Sequence, residues 1–421
     1  MYDWANSAFA TTVMAGFFPL FFKQYWAGEL EVGESTFLLG NANALASVLV
    51  VILAPILGAI ADRGGAKKRF LMFFAMMGVV MTGALYMVAQ GEWGLALVVY
   101  ILAVLGFSGS VVFYDSLLVD VANGTELDMV SAIGFSFGYL GGGLLFAFDV
   151  VMTLYPHTFG LDDAAQAVRV SFLSVAVWWG LFSIPVILFV KESKSHAPVG
   201  LVGAVRGGFV QLWETFRQIR KLRVTFLFLI AYWLYIDGVD TVIRMAVDYG
   251  LSLGFDSNHL MVALLVTQFV GFPAALVFGR LGERRGARQG IMIAIFVYLL
   301  VIIWAYQMQE VWEFYALAVT IGLVQGGIQA LSRSFYARMI PRTKSGEFFG
   351  FYNMMGKFAA VLGPLMMGWV AIITQSPRLS ILSVLLLFIA GAVLLAFVDE
   401  EKGRRQAKAF EVNQDSDGKL P

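Results

Sequence analysis

The sequence predicts an all-α polytopic membrane protein, with twelve transmembrane helices in two six-helix halves. Three observations predict it. The chain of 421 residues is 59% hydrophobic and only 14% charged, whereas a soluble domain carries about 25% charged residues. Twelve runs match the roughly 20 mostly apolar residues that a bilayer crossing requires. A short loop signature also occurs twice: Gly58-Ala-Ile-Ala-Asp62-Arg63-Gly-Gly65-Ala66-Lys67 is echoed by Gly279-Arg-Leu-Gly-Glu283-Arg284-Arg-Gly286-Ala287-Arg288, at a constant separation of 221 residues (279 − 58, 283 − 62). Each copy lies between two apolar runs, so it marks a duplicated membrane unit.

The runs place spans at 4–25, 36–61, 70–89, 94–121, 130–154, 168–190, 224–249, 258–279, 289–308, 313–339, 347–373 and 379–398. The expected organisation is a first half over 1–190, a linker over 191–223, a second half over 224–398 and a tail over 399–421. Basic residues set the orientation. All Lys and Arg except Lys23, Arg169, Arg244, Lys357 and Arg378 fall in connections on one side, while Glu29, Glu31, Glu34, Glu92, Asp162 and Asp163 lie on the other. That pattern puts both termini in the cytoplasm, in a bacterial-type inner membrane. In the linker, Phe209, Leu212, Trp213, Phe216 and Ile219 recur at helical spacing beside Arg217, Arg220 and Lys221. Two readings stand: an interfacial amphipathic helix on anionic lipid, or a solvated linker helix. The polar tail from Asp399 is expected to be disordered beyond Phe410.

Several classes of chemistry are excluded. The chain has no cysteine, so disulfides, thiolate metal sites and a cysteine nucleophile are out. Zero formal net charge argues against nucleic acid. His157, His196 and His259 lie in loops or at a span edge, and no zinc spacing, nucleophile elbow or nucleotide-binding loop appears. No catalytic residue, metal or cofactor is expected. No cleavable signal peptide precedes the first apolar run, so that span serves as its own targeting signal.

Charges inside the spans carry the functional argument, because one at the bilayer centre costs roughly 2.5–3.5 kcal/mol on insertion scales. The seventh span is the richest. Tyr235, Asp237, Asp240, Thr241, Arg244 and Asp248 follow one another there, and positions 237, 240/241, 244 and 248 share a helical face. Gly238 between two aspartates allows a bend. One reading is substrate or cation binding with a protonatable carboxylate; the other is a self-neutralising Asp240–Arg244 pair. In the eleventh span Asn353 and Lys357 lie near mid-depth, and a pair from Asp237 or Asp240 to Lys357 is expected. Gln325 and Gln329 of the tenth span, and Asn6 of the first, complete the candidate binding set. Lys23 and Asp149 are expected to pair near the outer face. Asp115 and Asp120 end the fourth span as Arg333 and Arg338 end the tenth, with both pairs separated by 218 residues (333 − 115, 338 − 120). These repeat-equivalent opposite charges suit a gate; alternatively each pairs within its own half, as Arg333 with Glu283. Gly134, Gly138 and Gly141-Gly142-Gly143 of the fifth span read as a close-packing face.

Six plus six spans with a repeated signature after the second span of each half resemble the major facilitator architecture. Its loop pattern, Gly-x-x-x-Asp-Arg-x-Gly-Arg-Arg, is filled here by Gly58, Asp62, Arg63, Gly65, Lys67 and Lys68. The resemblance implies two halves rocking about a midplane site. It assigns Asp62, Arg63, Glu283 and Arg284 to gating, with the carboxylate capping a neighbouring helix end and the basic residues staying at the headgroups. The opening Tyr2-Asp3-Trp4-Ala5-Asn6-Ser7-Ala8-Phe9-Ala10-Thr11-Thr12 and the string Tyr235-Ile236-Asp237-Gly238-Val239-Asp240-Thr241-Val242-Ile243-Arg244 are similar to the unknown-major-facilitator family. That family resembles the fungal autophagy-related vacuolar effluxer. The similarity covers essentially the whole chain and implies a membrane transporter; for the fungal relatives it implies vacuolar efflux of leucine-like amino acids. Family members carry a leader before the opening string, so a start upstream of Met1 is expected.

The expected function is therefore secondary transport of a small solute by alternating access, coupled to a proton or another ion. Both signs of charge at the midplane favour an amino acid or related zwitterion. The alternatives are an exporter of amphiphiles or drugs and, in another class, a non-transporting receptor or scaffold. Expected partners are a small-molecule substrate, the coupling ion and membrane lipid.

Overall fold

The computed structural model describes residues 1–30, 32–64, 66–122, 126–190, 208–253, 255, 257–358 and 362–417. Every regular element among them is helical. Eleven helices are long and apolar enough to cross a membrane, and Leu38–Ala54, within the second helix, adds a shorter apolar stretch. In chain order the spans are Tyr2–Trp26, Val32–Gly64, Lys67–Met87, Trp93–Val121, Leu127–Leu154 and Ala164–Phe189. The second six begin with Arg223–Ser252, Ser257–Arg285, Ala287–Gln307 and Val311–Arg338. The eleventh comprises Ser345–Phe358 and Leu362–Thr374, and the twelfth Pro377–Leu382 and Val384–Ala396. Helix is the natural choice, because lipid offers backbone N–H and C=O groups no partner.

The chain forms two compact units. The first comprises 1–52, 68–114 and 137–190; the second comprises 53–67, 115–136 and 191–421. In the first unit, the opening span alternates α-helical Tyr2–Ala8 and Phe18–Phe21 with π-helical Phe9–Phe17 and Phe22–Trp26. Such wide turns occur where a helix is forced off its regular register. The fifth span presses on it with glycines. A Cβ on Gly141 would lie 2.7 Å from the Trp4 carbonyl oxygen, and one on Gly142 would lie 3.0 Å from that of Ser7. Trp178 of the sixth span donates to the Trp4 carbonyl and stacks on its ring, with centroids 5.4 Å apart. In lipid, such backbone approach supplies the packing that hydrophobicity cannot.

Two expectations are corrected in this unit and at the tail. Asp149 does not pair with Lys23; its carboxylate takes the Ser174 hydroxyl instead, at 2.9 and 3.1 Å. The tail is a helix, Glu400–Asp417. Asp399 caps it by accepting the Lys402 N–H, and Ala407 is buried. Gly403 sits against Met339, where a Cβ would meet the sulfur at 2.7 Å. Composition suggested disorder because the tail is polar; one small-residue face is enough to dock it.

The linker helix Gly208–Lys221 also packs on protein. Thr215 and Ile219 are buried, while Arg217, Arg220 and Lys221 are exposed. Ile219 therefore faces protein and is not free to lie on lipid. The side chains of Phe209, Leu212 and Trp213 lie outside the described residues.

Candidate functional site

The densest buried polar network lies in the second unit, at the end of the spans that carries the basic connections. The fourth span delivers Asp115 there, the start of the fifth delivers Asp128 and Ser131, and the end of the tenth delivers Arg333, Ser334 and Arg338. Arg333 Nη1 donates to Asp115 Oδ1 at 3.0 Å. Two more of its donors go to Ser131, with Nε to Oγ at 2.9 Å and Nη2 to the carbonyl at 3.0 Å. The guanidinium also lies 4.5 Å from the centroid of the Phe135 ring. Asn353 Nδ2 donates to the other oxygen of Asp115 at 3.2 Å. Both charges are about 5% exposed.

A second pair repeats the pattern. Asp128 accepts from Arg338 Nη2 at 2.6 Å and from the Ser334 hydroxyl. Arg338 Nε lies 2.8 Å from Glu400 Oε1 of the tail helix, although its N–H is not aimed at that oxygen. That contact is one of charge with charge, not a hydrogen bond. A third pair joins Lys67 to Asp120 at 3.1 Å, and the same ammonium donates to Ser345 Oγ at 2.7 Å.

These pairs revise the sequence assignments. Asp115 and Arg333, repeat equivalents, meet directly, and Glu283 is exposed and is not the Arg333 partner. Asp120 and Arg338 do not meet; each finds a partner from another span. Lys67 is buried rather than at the headgroups, because the glycine before its loop seats the second span against the eleventh. A Cβ on Gly58 would lie 2.2 Å from the Gly346 carbonyl oxygen. The second copy matches this, with a Gly279 Cβ meeting Ala132 at 2.6 Å. Arg284 is exposed, and the side chains of Asp62 and Arg63 lie outside the described residues. Sequence reasoning missed Asp128 and Ser131, which read as the start of a span; only their spacing from Arg338 and Arg333 in the fold reveals them.

Buried ion pairs of this kind are costly to assemble and costlier to break. Removing one partner leaves an orphan charge worth about 3–5 kcal/mol. The hydrogen bonds that Ser131 accepts from Arg333 and that Asn353 donates to Asp115 satisfy valences that a bare pair would leave open.

The seventh span carries the other candidate site. Asp237 is fully buried. Its oxygens accept the N–H groups of Leu362 at 3.1 Å and Gly363 at 2.9 Å, and the Thr241 hydroxyl at 3.3 Å. It thus caps the start of the helix Leu362–Thr374, where a carboxylate is favoured. Gly363 is required there, since a Cβ would fall 1.8 Å from Thr241 Oγ1. Of the two expected partners of Lys357, Asp237 is therefore committed to backbone. Asp240 and Lys357 are half-buried and both engaged; the Arg244 and Asp248 side chains lie outside the described residues. Tyr235 is buried and shares a 2.6 Å hydrogen bond with Ser332. Gln325 and Gln329 are half-buried on the tenth span, and Asn6 is buried in the first unit. Asn353, expected with Lys357, instead joins the Asp115 network. No group of three metal-ligating side chains occurs among the described residues.

Comparison with known proteins agrees with this architecture. A family model described as "Vacuole effluxer Atg22 like" matches residues 25–408. An uncharacterized MFS-type transporter of Bacillus subtilis, YxiO, is 40% identical over 406 residues, covering 95% of this chain and 94% of its own. Autophagy-related protein 22 of Yarrowia lipolytica is 26% identical over 67% of this chain and 52% of its own. Among solved structures, the human organic anion transporter MFSD10 superposes with a TM-score of 0.73 over 94% of this chain and 97% of its own, at 13% identity. The last comparison speaks to the fold alone. The chain is a multi-pass membrane transporter of the major facilitator fold and belongs to the Atg22-like vacuole effluxer family.

Proposed function

We propose that the protein moves a small zwitterion, an amino acid or related metabolite, by alternating access coupled to an ion gradient. The observation that carries the reading is the buried Asp115–Arg333 pair, formed by repeat-equivalent positions of the two sequence halves. Together with Arg338–Asp128 and Lys67–Asp120 it acts as a gate, taken to be cytoplasmic from the basic connections around it. Its charges are paired when buried against each other and hydrated when apart, while a half-open arrangement gives them neither, so the gate has two acceptable states and a poor middle. Asp62, Arg63, Glu283 and Arg284 belong to the loops beside this gate.

Substrate binds along the seventh, tenth and eleventh spans. Asp240 and Lys357 offer the two signs that a zwitterion requires, and Tyr235, Thr241, Gln325, Gln329 and Asn6 supply neutral hydrogen-bonding groups. Asp237 holds the eleventh-span helix start in place beside them. The test uses purified protein in vesicles under an imposed pH gradient with a pooled mixture of labelled amino acids. Uptake that Lys357→Met abolishes supports the reading; a pool in which nothing moves under either sign of gradient overturns it.

A further inference from the structure

One buried carboxylate takes no part in either site. Asp149, in the fifth span, is completely buried. Ser174 of the sixth span puts its hydroxyl on it, with Oγ 2.9 Å from Oδ1 and 3.1 Å from Oδ2, and the Ser171 hydroxyl lies beside them. That same Oγ lies 2.8 Å from the Ser171 carbonyl oxygen. Both residues lie in the first compact unit, so the site needs nothing from the second.

Among the described residues the surroundings supply no counter-charge. On the first span, whose Phe17 ring packs 5.7 Å from Phe146, the titratable groups toward this end are Lys23 and Tyr25. On the sixth they are Asp162 and Asp163 at its start and Arg169, whose guanidinium is committed to the Tyr86 carbonyl at 2.7 and 2.9 Å. Beyond the fifth span come Tyr155 and His157, both exposed. Among the described residues none of these makes an ion pair or hydrogen bond with Asp149. Ionised, it is a buried charge with about four acceptor positions facing serine hydroxyls and no cation among the described residues.

Hydrogen-bond chemistry resolves this geometry in two ways. A serine hydroxyl has one proton to give, and a carbonyl oxygen can only accept. With Asp149 ionised, Ser174 donates to the carboxylate. With Asp149 protonated, the acid donates to Ser174 Oγ, and Ser174 turns its own proton to the Ser171 carbonyl. Both arrangements use the same heavy atoms at the same distances. The only bond formed is one O–H at an Asp149 oxygen, with the proton drawn from water and the charge falling from −1 to zero.

We propose that Asp149 and Ser174 form a proton-binding site within the first unit, and that this carboxyl carries the coupling proton. The coupling role rests on the ion-coupled reading above and predicts that Asp149→Asn loses pH-driven uptake in the vesicle assay, retained uptake overturning it; the proton binding does not rest on that reading and is tested by spectroscopy. The spacing fits a proton better than a metal cation, because the oxygens already stand at hydrogen-bond distance and leave no room for an ion between them.

The experiment is an infrared titration of the full chain in phosphatidylcholine–phosphatidylglycerol vesicles, reading the C=O stretch of protonated carboxyl groups. The wild type and Asp237→Asn are expected to show a protonated-carboxyl band at neutral pH that fades on alkalinisation. Asp149→Asn removes the band. Ser174→Ala keeps the carboxyl but removes its acceptor, so the band shifts in frequency; this variant decides the matter if Asp149→Asn does not fold. A neutral-pH spectrum without such a band, or a band unchanged in both Asp149→Asn and Ser174→Ala, overturns the proposal. So does a band that follows sodium concentration at fixed pH. Loss of pH-driven uptake plays no part in this readout, so failure of the transport reading and failure of the proton site remain distinguishable.

Discussion

Replacing Arg333 by methionine tests the gate most directly. The substitution keeps an unbranched chain of similar reach but takes the guanidinium away from Asp115, which is about 6% exposed. An orphaned buried charge costs about 3–5 kcal/mol, and each 1.4 kcal/mol is tenfold in an equilibrium constant, so the closed arrangement loses between about two and three and a half decades of population. In the open arrangement Asp115 is hydrated and loses nothing. The chain has no native cysteine, so a single Ala330→Cys substitution, at a fully buried position one turn above Arg333, reports opening through its rate of maleimide labelling. Arg333→Met should accelerate labelling by about 100-fold or more. Adding Asp115→Asn removes the orphan charge and should return the rate most of the way. Unchanged labelling in the single variant, or a double variant that labels as fast as the single, refutes the reasoning.

Three further outcomes follow from the same geometry. Lys67→Met takes the ammonium away from Asp120 and should lower the thermal midpoint in detergent clearly, while Lys67→Arg should retain it; equal losses in both would mean that the Asp120 contact contributes little. Gly363→Ala forces a methyl to within 1.8 Å of Thr241 Oγ1 and should destabilise by about 1–3 kcal/mol as an overpacked site. Thr241→Ala in the same chain should recover part of that on a denaturant titration. At the tail, burial raises Glu400 above the ordinary glutamate range, against the opposing pull of Arg338. The docked helix therefore takes up a proton that the free tail releases, and the stabilisation is present below the ordinary glutamate value and is lost as pH rises through the raised one. Limited proteolysis of the tail should quicken across that window, and Glu400→Gln should flatten the dependence.

Most of the fold was legible because lipid leaves a sequence few choices. A run of apolar residues in a bilayer can only be a helix or part of a barrel, and the basic connections divide the runs into two series. The Asp115–Arg333 relation was legible for a related reason, since charges near a span end are expensive enough to stand out and the repeat aligns them. Partner choice was not legible. Lys67 read as a headgroup lysine, and Asp128 as an unremarkable first-turn acid; their burial depends on how closely Gly58 and Gly279 let the helices approach. Asp237 was visible as a costly residue, but its partners are backbone N–H groups, which no pattern of side chains records.

The docked tail has a practical consequence for handling the protein. Arg288 donates to the carbonyls of Ala396 and Val398, so the twelfth span ends in a clamp and the tail leaves it in a fixed direction. The contact with Arg338 lies at the first residue of the tail helix Glu400–Asp417, so a cut beyond Asp417 leaves it in place. A chain shortened at Asp399 for crystallisation or display loses Glu400, Gly403 and Ala407 together, and with them the cover over the ends of the seventh and tenth spans.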